Sequence, residues 1–423
     1  MNTIIQKFKL VFTDKVLRRR IGITLGLLIV FRLLSTIPIP GIDTTQLQQL
    51  FAGNQFLGLL NIFSGGSLSQ LSIVMLAVGP YITASIIMQL MTMLSPRLKA
   101  MYQEEGQIGR KKFSQYTRML TIPLALIQAF SFLILLQRQG IIESMTTFEL
   151  MRNISLVTAG SMLLLWIAER ITEFGIGNGT SLIIFAGIVA ALPQAVSQMA
   201  FAFDPSQLLL YVVLVIGSLI VTYGVVVITE AERPIPITYA KRVRGNKVYG
   251  GVSTYLPLRL NQSGVIPIIF ALSLLLFPQV VFRYLVLVQN ASVQAFAQWG
   301  TRVLENQIVY AVIYFLLVFA FTYFYTAVTF DPNQISTNLQ KNGAFIPGVR
   351  PGQSTSIYIS RILTRITAFG ALFLGIIAVL PLVVQAFTTM TSLAVGGTGL
   401  LIVVAVVIDL VKKTEAQVSM KEY

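Results

Sequence analysis

The sequence predicts an all-α membrane protein of ten transmembrane helices, and three observations carry that reading. Of 423 residues, 55% are hydrophobic and only 11% charged, with a mean hydropathy of +0.77; a soluble domain usually carries about 25% charged residues. Apolar runs long enough to cross a bilayer, which takes about 20 helical residues, recur along the whole chain. The net charge of +15 is unevenly distributed, because basic residues gather in alternate loops.

In chain order the runs fall near 21–39, 71–95, 116–137, 153–171, 180–200, 207–229, 262–283, 307–329, 366–386 and 395–412. An even number of spans puts both termini on one side. All basic residues except Arg32, Arg138, Arg152, Arg283 and Arg302 then lie on that side or at span ends facing it. The positive-inside rule makes it cytoplasmic. Residues 22–39 are long and lack a small-residue cleavage site, so no cleavable signal peptide is read. Five spans on each side of 201–206 give halves 1–205 and 206–423 of opposite orientation. That is the topology of inverted repeats, which place their functional site between the halves near the bilayer midplane.

Between spans 1 and 2 lies an irregular stretch. The apolar segment 56–63 is far too short to cross and ends at Ser64-Gly65-Gly66-Ser67, where glycine permits a break. A half-inserted stub (about 54–66) hinged onto a span must sit inside protein or line a cavity, because lipid cannot satisfy irregular backbone. This points to a pore with a movable part. The loops 230–261 and 330–365 are long enough to stand out from the membrane. In the first, Ile235–Tyr239 and Lys247–Gly250 flank Arg244-Gly245-Asn246, a strand–turn–strand pattern. In the second, Phe345-Ile-Pro-Gly-Val-Arg-Pro-Gly352 reads as a rigid turn with Arg350 at its tip.

Other residue types limit the chemistry. The chain has no cysteine and no histidine, so disulfides, thiolate metal sites and the commonest general base are absent. No metal or cofactor site is expected. Gly175-Ile-Gly-Asn-Gly179 lacks a preceding strand and a following ribose-binding carboxylate, so it reads as a tight turn into span 5 and not as a dinucleotide loop. There is no Walker A sequence, so the chain cannot draw on ATP by itself. Glu169, Glu173 and Asp409 lie near span ends and no acidic residue is mid-span, which argues against a proton- or sodium-coupled transporter. Arg32 lies within span 1, facing the interior, another subunit or a polar region. The residues leave open a channel, a small-solute transporter built on inverted repeats, and an insertase or scaffold without a through-path.

Four stretches identify a resemblance. FSGGSLSQLSIVMLAVGPYITASIIMQL (63–90), WIAERITEFGIGNGTSLIIFAGI (166–188), TYAKRVRGNKVYGGVSTYLPLRLNQSGVIPIIFA (238–271) and NGAFIPGVRPGQ (342–353) resemble, in order, the SecY family of bacterial protein-translocation channels. The resemblance implies a protein-conducting channel, not an enzyme. It passes unfolded polypeptide across the bacterial cell membrane and releases apolar segments sideways into lipid.

The resemblance also implies residue roles. The stub becomes a plug centred on Asn61, Ile62 and Phe63 and hinged at Gly65 and Gly66. A pore ring would comprise Val78, Ile82, Thr180, Ile184, Ile269 and Ile402; same-helix pairs four apart share a face, and an apolar neck resists water by dewetting. Thr180 departs from the family's usual aliphatic residue. Thr83 and Gln89 on span 2 and Ser273 on span 7 read either as lateral-gate contacts or as bonds within their own helices. Lys241, Arg242, Arg244, Lys247 and Arg350 match docking positions for the SecA motor and the ribosome, whose RNA phosphates suit basic loops; positive-inside topology alone also accounts for them. Pro234 stands where an arginine often sits. The implied partners are SecE-like and SecG-like small membrane subunits, SecA, the ribosome, secretory precursors and membrane lipids.

Overall fold

In the computed structural model, described residues are 14–40, 61, 64, 66–68, 70–138, 142, 145–201, 208–239, 242–244, 247–249, 253–286, 290–387 and 391–419. Each of the ten apolar runs is carried by a helix. In order these are α1 (Lys15–Ser35), α2 (Gly79–Leu94), a short α3 (Pro96–Gln103), α4 (Gly106–Arg138), α5 (Thr147–Phe174), α6 (Gly179–Phe201) and α7 (Leu208–Glu230). Strands β1 (Glu232–Tyr239), β2 (Arg242–Arg244), β3 (Lys247–Tyr249) and β4 (Ser253–Arg259) follow. Then come α8 (Ile266–Leu285), α9 (Ala291–Glu305), α10 (Gln307–Thr329), α11 (Pro332–Lys341), β5 (Ala344–Phe345), α12 (Gln353–Phe387) and α13 (Thr391–Ser419).

Polar caps mark where the apolar helices begin. Asp14 accepts from the Val16 N–H at 2.8 Å before α1. Thr146 and Glu149 form a reciprocal capping box before α5, satisfying N–H groups that a helix start leaves without partners. Helices α4, α5, α7, α10 and α12 are each long and apolar enough to cross a bilayer. Helix α7 turns Leu219, Ile220 and Tyr223 outward and buries almost none of its surface.

Span 2 differs from the expectation. Helix was expected from residue 71, but 71–78 form consecutive turns and α2 has only 16 residues. At 1.5 Å per residue it is about 24 Å long, short of a bilayer core of about 30 Å. The apolar composition of 71–78 is helix-like, but tertiary hydrogen bonds hold its backbone in another shape.

The chain forms two compact units, 1–214 with 384–423, and 215–383. Helix α13, grouped by the even split with the second half, therefore belongs by packing to the first unit. It runs antiparallel to α6: a Cβ on Gly399 would lie 3.1 Å from Ile188, and one on Gly177 3.0 Å from Leu410. Around the turns at 71–78 the first unit holds a core of Ile39, Leu68, Leu71, Met75, Leu133, Leu136 and Val157.

In the second unit the two long loops fold together. Antiparallel strands run in the order β4-β1-β5, with Ile235 opposite Leu256 and Thr238 opposite Phe345. Ile235 and Ile237 are buried in alternation, and Ile235, with Leu258, Ile346, Ile359, Ile362 and Ile366, forms the lobe's apolar centre. Pro234 and Pro236 are tolerated because the other edge of β1 is paired only at 238–239. The expected strand–turn–strand needs correction: 235–239 pairs with β4 and β5, while the hairpin is β2 with β3, Arg244 opposite Lys247. A two-residue connection favours the nearest strands, which sequence pattern alone did not rank. Helices α9 and α11 were not anticipated.

Candidate functional site

The residues singled out at 61–94 centre on a buried strap. The Gly66 N–H donates to the Asn61 carbonyl at 2.8 Å, and the Ser64 hydroxyl donates to the same oxygen at 3.0 Å. Gly66 has φ +79, a left-handed value that glycine adopts at low steric cost. Ile62, Phe63 and Gly65 lie outside the described residues. The Ser67 hydroxyl, fully buried, donates to the Ser64 carbonyl at 2.6 Å and lies 3.2 Å from that of Val74. Ser64 and Ser72 hydroxyls accept from the Leu68 and Val74 N–H groups. Short serine side chains thus supply partners that a helix would have supplied itself.

Two neighbours clamp this strap. The chain leaving α1 exchanges backbone bonds with it, Ile39 N–H to Leu71 and Ile73 N–H to Ile37, at 2.9 and 3.0 Å. On α5, Gly160 lets the Ile73 carbonyl approach so closely that a Cβ would lie 2.1 Å from its oxygen. Its neighbour Ser161 donates to the Ala77 carbonyl at 2.9 Å. Leu71 and Ala77 hold φ +43 and +47, each at a cost of about 1–2 kcal/mol for a residue with a Cβ. Burial and the hydrogen bonds from these two neighbours hold the strained backbone in place.

Val78, buried, is the last strap residue before α2, and the half-buried Ile82 N–H donates to its carbonyl. The Thr83 hydroxyl donates to the Gly79 carbonyl at 3.1 Å and is 3.5 Å from the Gln128 side-chain nitrogen of α4. Gln89 donates to Ser85 at 3.1 Å, and its Oε1 is buried with no partner among the described residues. For Thr83 and Gln89 the structure thus contains the bonds within their own helix. Ser273 is half-buried on α8, in the second unit.

The Gly175–Gly179 turn is built for close contact. Gly177 has φ +89, and a Cβ on Gly179 would lie 1.8 Å from the Ala168 oxygen. Thr172 accepts from the Gly179 N–H, Thr24 of α1 from that of Ile176, and Asn178 from that of Thr180. Thr180 is half-buried in the first turn of α6, and Ile184 is buried one turn on. The α6–α13 pairing places Ile184 level with buried Ile402. Ile269, half-buried on α8, lies in the second unit.

Arg350 sits exposed on a rigid tip. Val349 N–H donates to the Ile346 carbonyl at 3.1 Å with Pro347 and Gly348 (φ +80) between them, a type II turn. Ile346 and Val349 anchor the tip in the lobe's core. The Ser336 hydroxyl donates to the Gly352 carbonyl and that of Thr355 to the Arg350 carbonyl. Arg242, Arg244 and Lys247 lie on the β2–β3 hairpin; Lys241 is outside the described residues. Arg32 is exposed in the last turn of α1, where a cation suits the helix dipole. Sequence reasoning missed the strap's holders, Gly160 and Ser161. Their signal is only a pair of small residues in an apolar run, a pattern that ordinary helix packing produces equally well.

The family model described as SecY matches residues 72–411. The protein translocase subunit SecY of Thermotoga maritima is 42% identical, covering 99% of this chain and 96% of its own. Among solved structures, one described as the structure of a protein conducting channel is similar, with TM-score 0.65 and 18% identity, covering 95% of this chain and 93% of its own. Sec61 in the canine ribosome–channel complex from the endoplasmic reticulum is also similar, with TM-score 0.61 and 17% identity over 95% and 93%. At those identities the solved structures speak to the fold.

Proposed function

This chain belongs to the SecY family, and from that premise we propose how its residues form a protein-conducting channel. The chain is a multi-pass membrane protein and not an enzyme; its work is gating. It passes unfolded polypeptide across the bilayer and releases apolar segments into lipid. The observation that most supports the gating assignment is the strap that ends at 71–78, a largely buried backbone with two left-handed residues, tied by hydrogen bonds to residues 37–39 and to α5, that leads into α2. Such a segment gives the stub a defined rest position while its glycine and serine hinge allows departure.

In this reading Asn61–Gly66 is the plug, and Val78, Ile82, Thr180, Ile184, Ile269 and Ile402 form the neck. Its apolar walls exclude water and ions but adapt to side chains in transit. Thr83, Gln89 and Ser273 serve the lateral gate. The Gln89 Oε1, without a partner among the described residues, suits a polar seam that breaks and reforms at about 1 kcal/mol per bond. Both termini face the cytoplasm, where the Arg350 tip and the β2–β3 hairpin dock a motor or the ribosome. The spans before and after 205 act as two inverted groups braced by small membrane subunits.

The test uses the absence of native cysteine. A single cysteine at Ile82 faces a stalled secretory precursor that carries one cysteine of its own. The expected result is a disulfide that depends on both the motor and the stall. Crosslinks at the 350 tip without any at 82, despite proven engagement, would sink the neck assignment and favour a scaffold.

A further inference from the structure

Helix α9 has three distinct sides. One is protein-facing: Ala297 and Gly300 are buried, and a Cβ on Gly300 would lie 2.7 Å from the Phe282 ring of α8. Gln294 donates to the Val286 carbonyl at 3.1 Å, which ties the start of α9 back to the end of α8 and sets its roll. A second side is polar, with Gln294, Gln298, Arg302 and Glu305 at helical spacing. The third is aromatic. Phe296 and Trp299 are stacked with ring centroids 6.1 Å apart, and they are 56% and 60% exposed.

The depth of this helix is also constrained. Asn306 alone separates α9 from α10. Its N–H donates to the Arg302 carbonyl, and its side chain accepts from Ile308 and Val309 at the start of α10. Because α10 is a bilayer-crossing helix, the end of α9 cannot stand more than about one turn, roughly 5 Å, from where that span begins. Chain order puts α9 at the end of α8 and α10 opposite the β-sheet.

We propose that α9 is an in-plane anchor whose Phe296–Trp299 side inserts into the phospholipid interface. Tryptophan favours that depth because its ring is apolar and its N–H seeks the headgroup region. An amphipathic helix lies in the plane when one side is aromatic and the adjacent side polar. Arg302, on the polar side, reaches lipid phosphate. The clasp on Phe282 then couples the tilt of α8 to the bilayer surface.

The sequence contains two tryptophans, so Trp166→Phe leaves Trp299 as the sole reporter in the full-length protein. With its partner subunits it is reconstituted into vesicles of phosphatidylcholine and phosphatidylglycerol. Fluorescence is expected to be lost with lipids brominated near the glycerol end, less with lipids brominated at the chain terminus, and little with aqueous iodide. Strong iodide quenching without bromolipid quenching overturns the proposal, as does protection from both, which means a protein cover. Nitroxide labels on Phe296→Cys and Gln298→Cys decide the question independently. Residue 296 is expected to collide preferentially with dissolved oxygen and 298 with an aqueous nickel chelate. Equal nickel exposure, or shielding of both, refutes the anchor.

Discussion

The Ser161 hydroxyl donates to the Ala77 carbonyl at 2.9 Å, across 84 positions of sequence. This bond pins the strained residue immediately before Val78, so the resting position of the proposed neck depends on a hydroxyl from α5. Ser161→Ala leaves a buried carbonyl without this donor, at a cost of about 1–3 kcal/mol. The expected outcome is a lower unfolding temperature, with increased ion leak through proteoliposomes in the absence of substrate. Unchanged leak with lowered stability would confine the bond to folding.

Gly160→Ala is expected to be worse than Ser161→Ala. The new methyl would overlap the Ile73 carbonyl, and backbone on both sides cannot yield as a flexible side chain does. Overpacking of this kind costs about 1–3 kcal/mol or more. Gly224→Ala on α7 is the control, with open space around it, and is expected to be neutral or mildly stabilising. Denaturant midpoints in one detergent would rank the three variants.

The strap's left-handed residues predict opposite signs. Gly66→Ala meets no atoms but retains φ +79, so it tests backbone strain alone and should cost about 1 kcal/mol. Ala77→Gly removes strain at φ +47 and should be neutral to stabilising. If strain at Ala77 serves gating, the glycine variant will also show altered channel opening, read as ion conductance during precursor engagement.

Arg350→Ala should leave stability unchanged, because the side chain is exposed and the turn is held by backbone bonds. Binding of ribosomes to the reconstituted channel should weaken, with a flatter dependence on salt, since a lost phosphate contact releases fewer counterions. Gly348→Ala, at φ +80, should instead distort the tip and lower affinity with the charge intact.

Much of the architecture was legible from residue pattern. Each of the ten apolar runs contains a helix, the Gly175–Gly179 stretch is a turn, and Arg350 is at an exposed tip. These features are local: hydrophobic length, glycine conformation and proline restriction act within a few residues. The strap was misread as helix because 71–78 is apolar and its departures are set by Ser161, Gly160 and Ile39, which lie far away in sequence. The pairing of β1 with β4 and β5 was missed for the same reason, as was α9, whose amphipathic pattern is short and follows a span directly.

The sequence by itself determined that this is a multi-span membrane protein, how many apolar runs it has and in what order, and the SecY family to which it belongs. Those follow from transfer of apolar surface out of water and from motifs written contiguously. Tertiary structure alone decided that α13 packs with the first unit, that two loops share one sheet, and that an apolar run becomes a strained turn. In each of these the deciding partner is remote in sequence, so a backbone with two acceptable local shapes takes the one that distant hydrogen bonds and close packing complete.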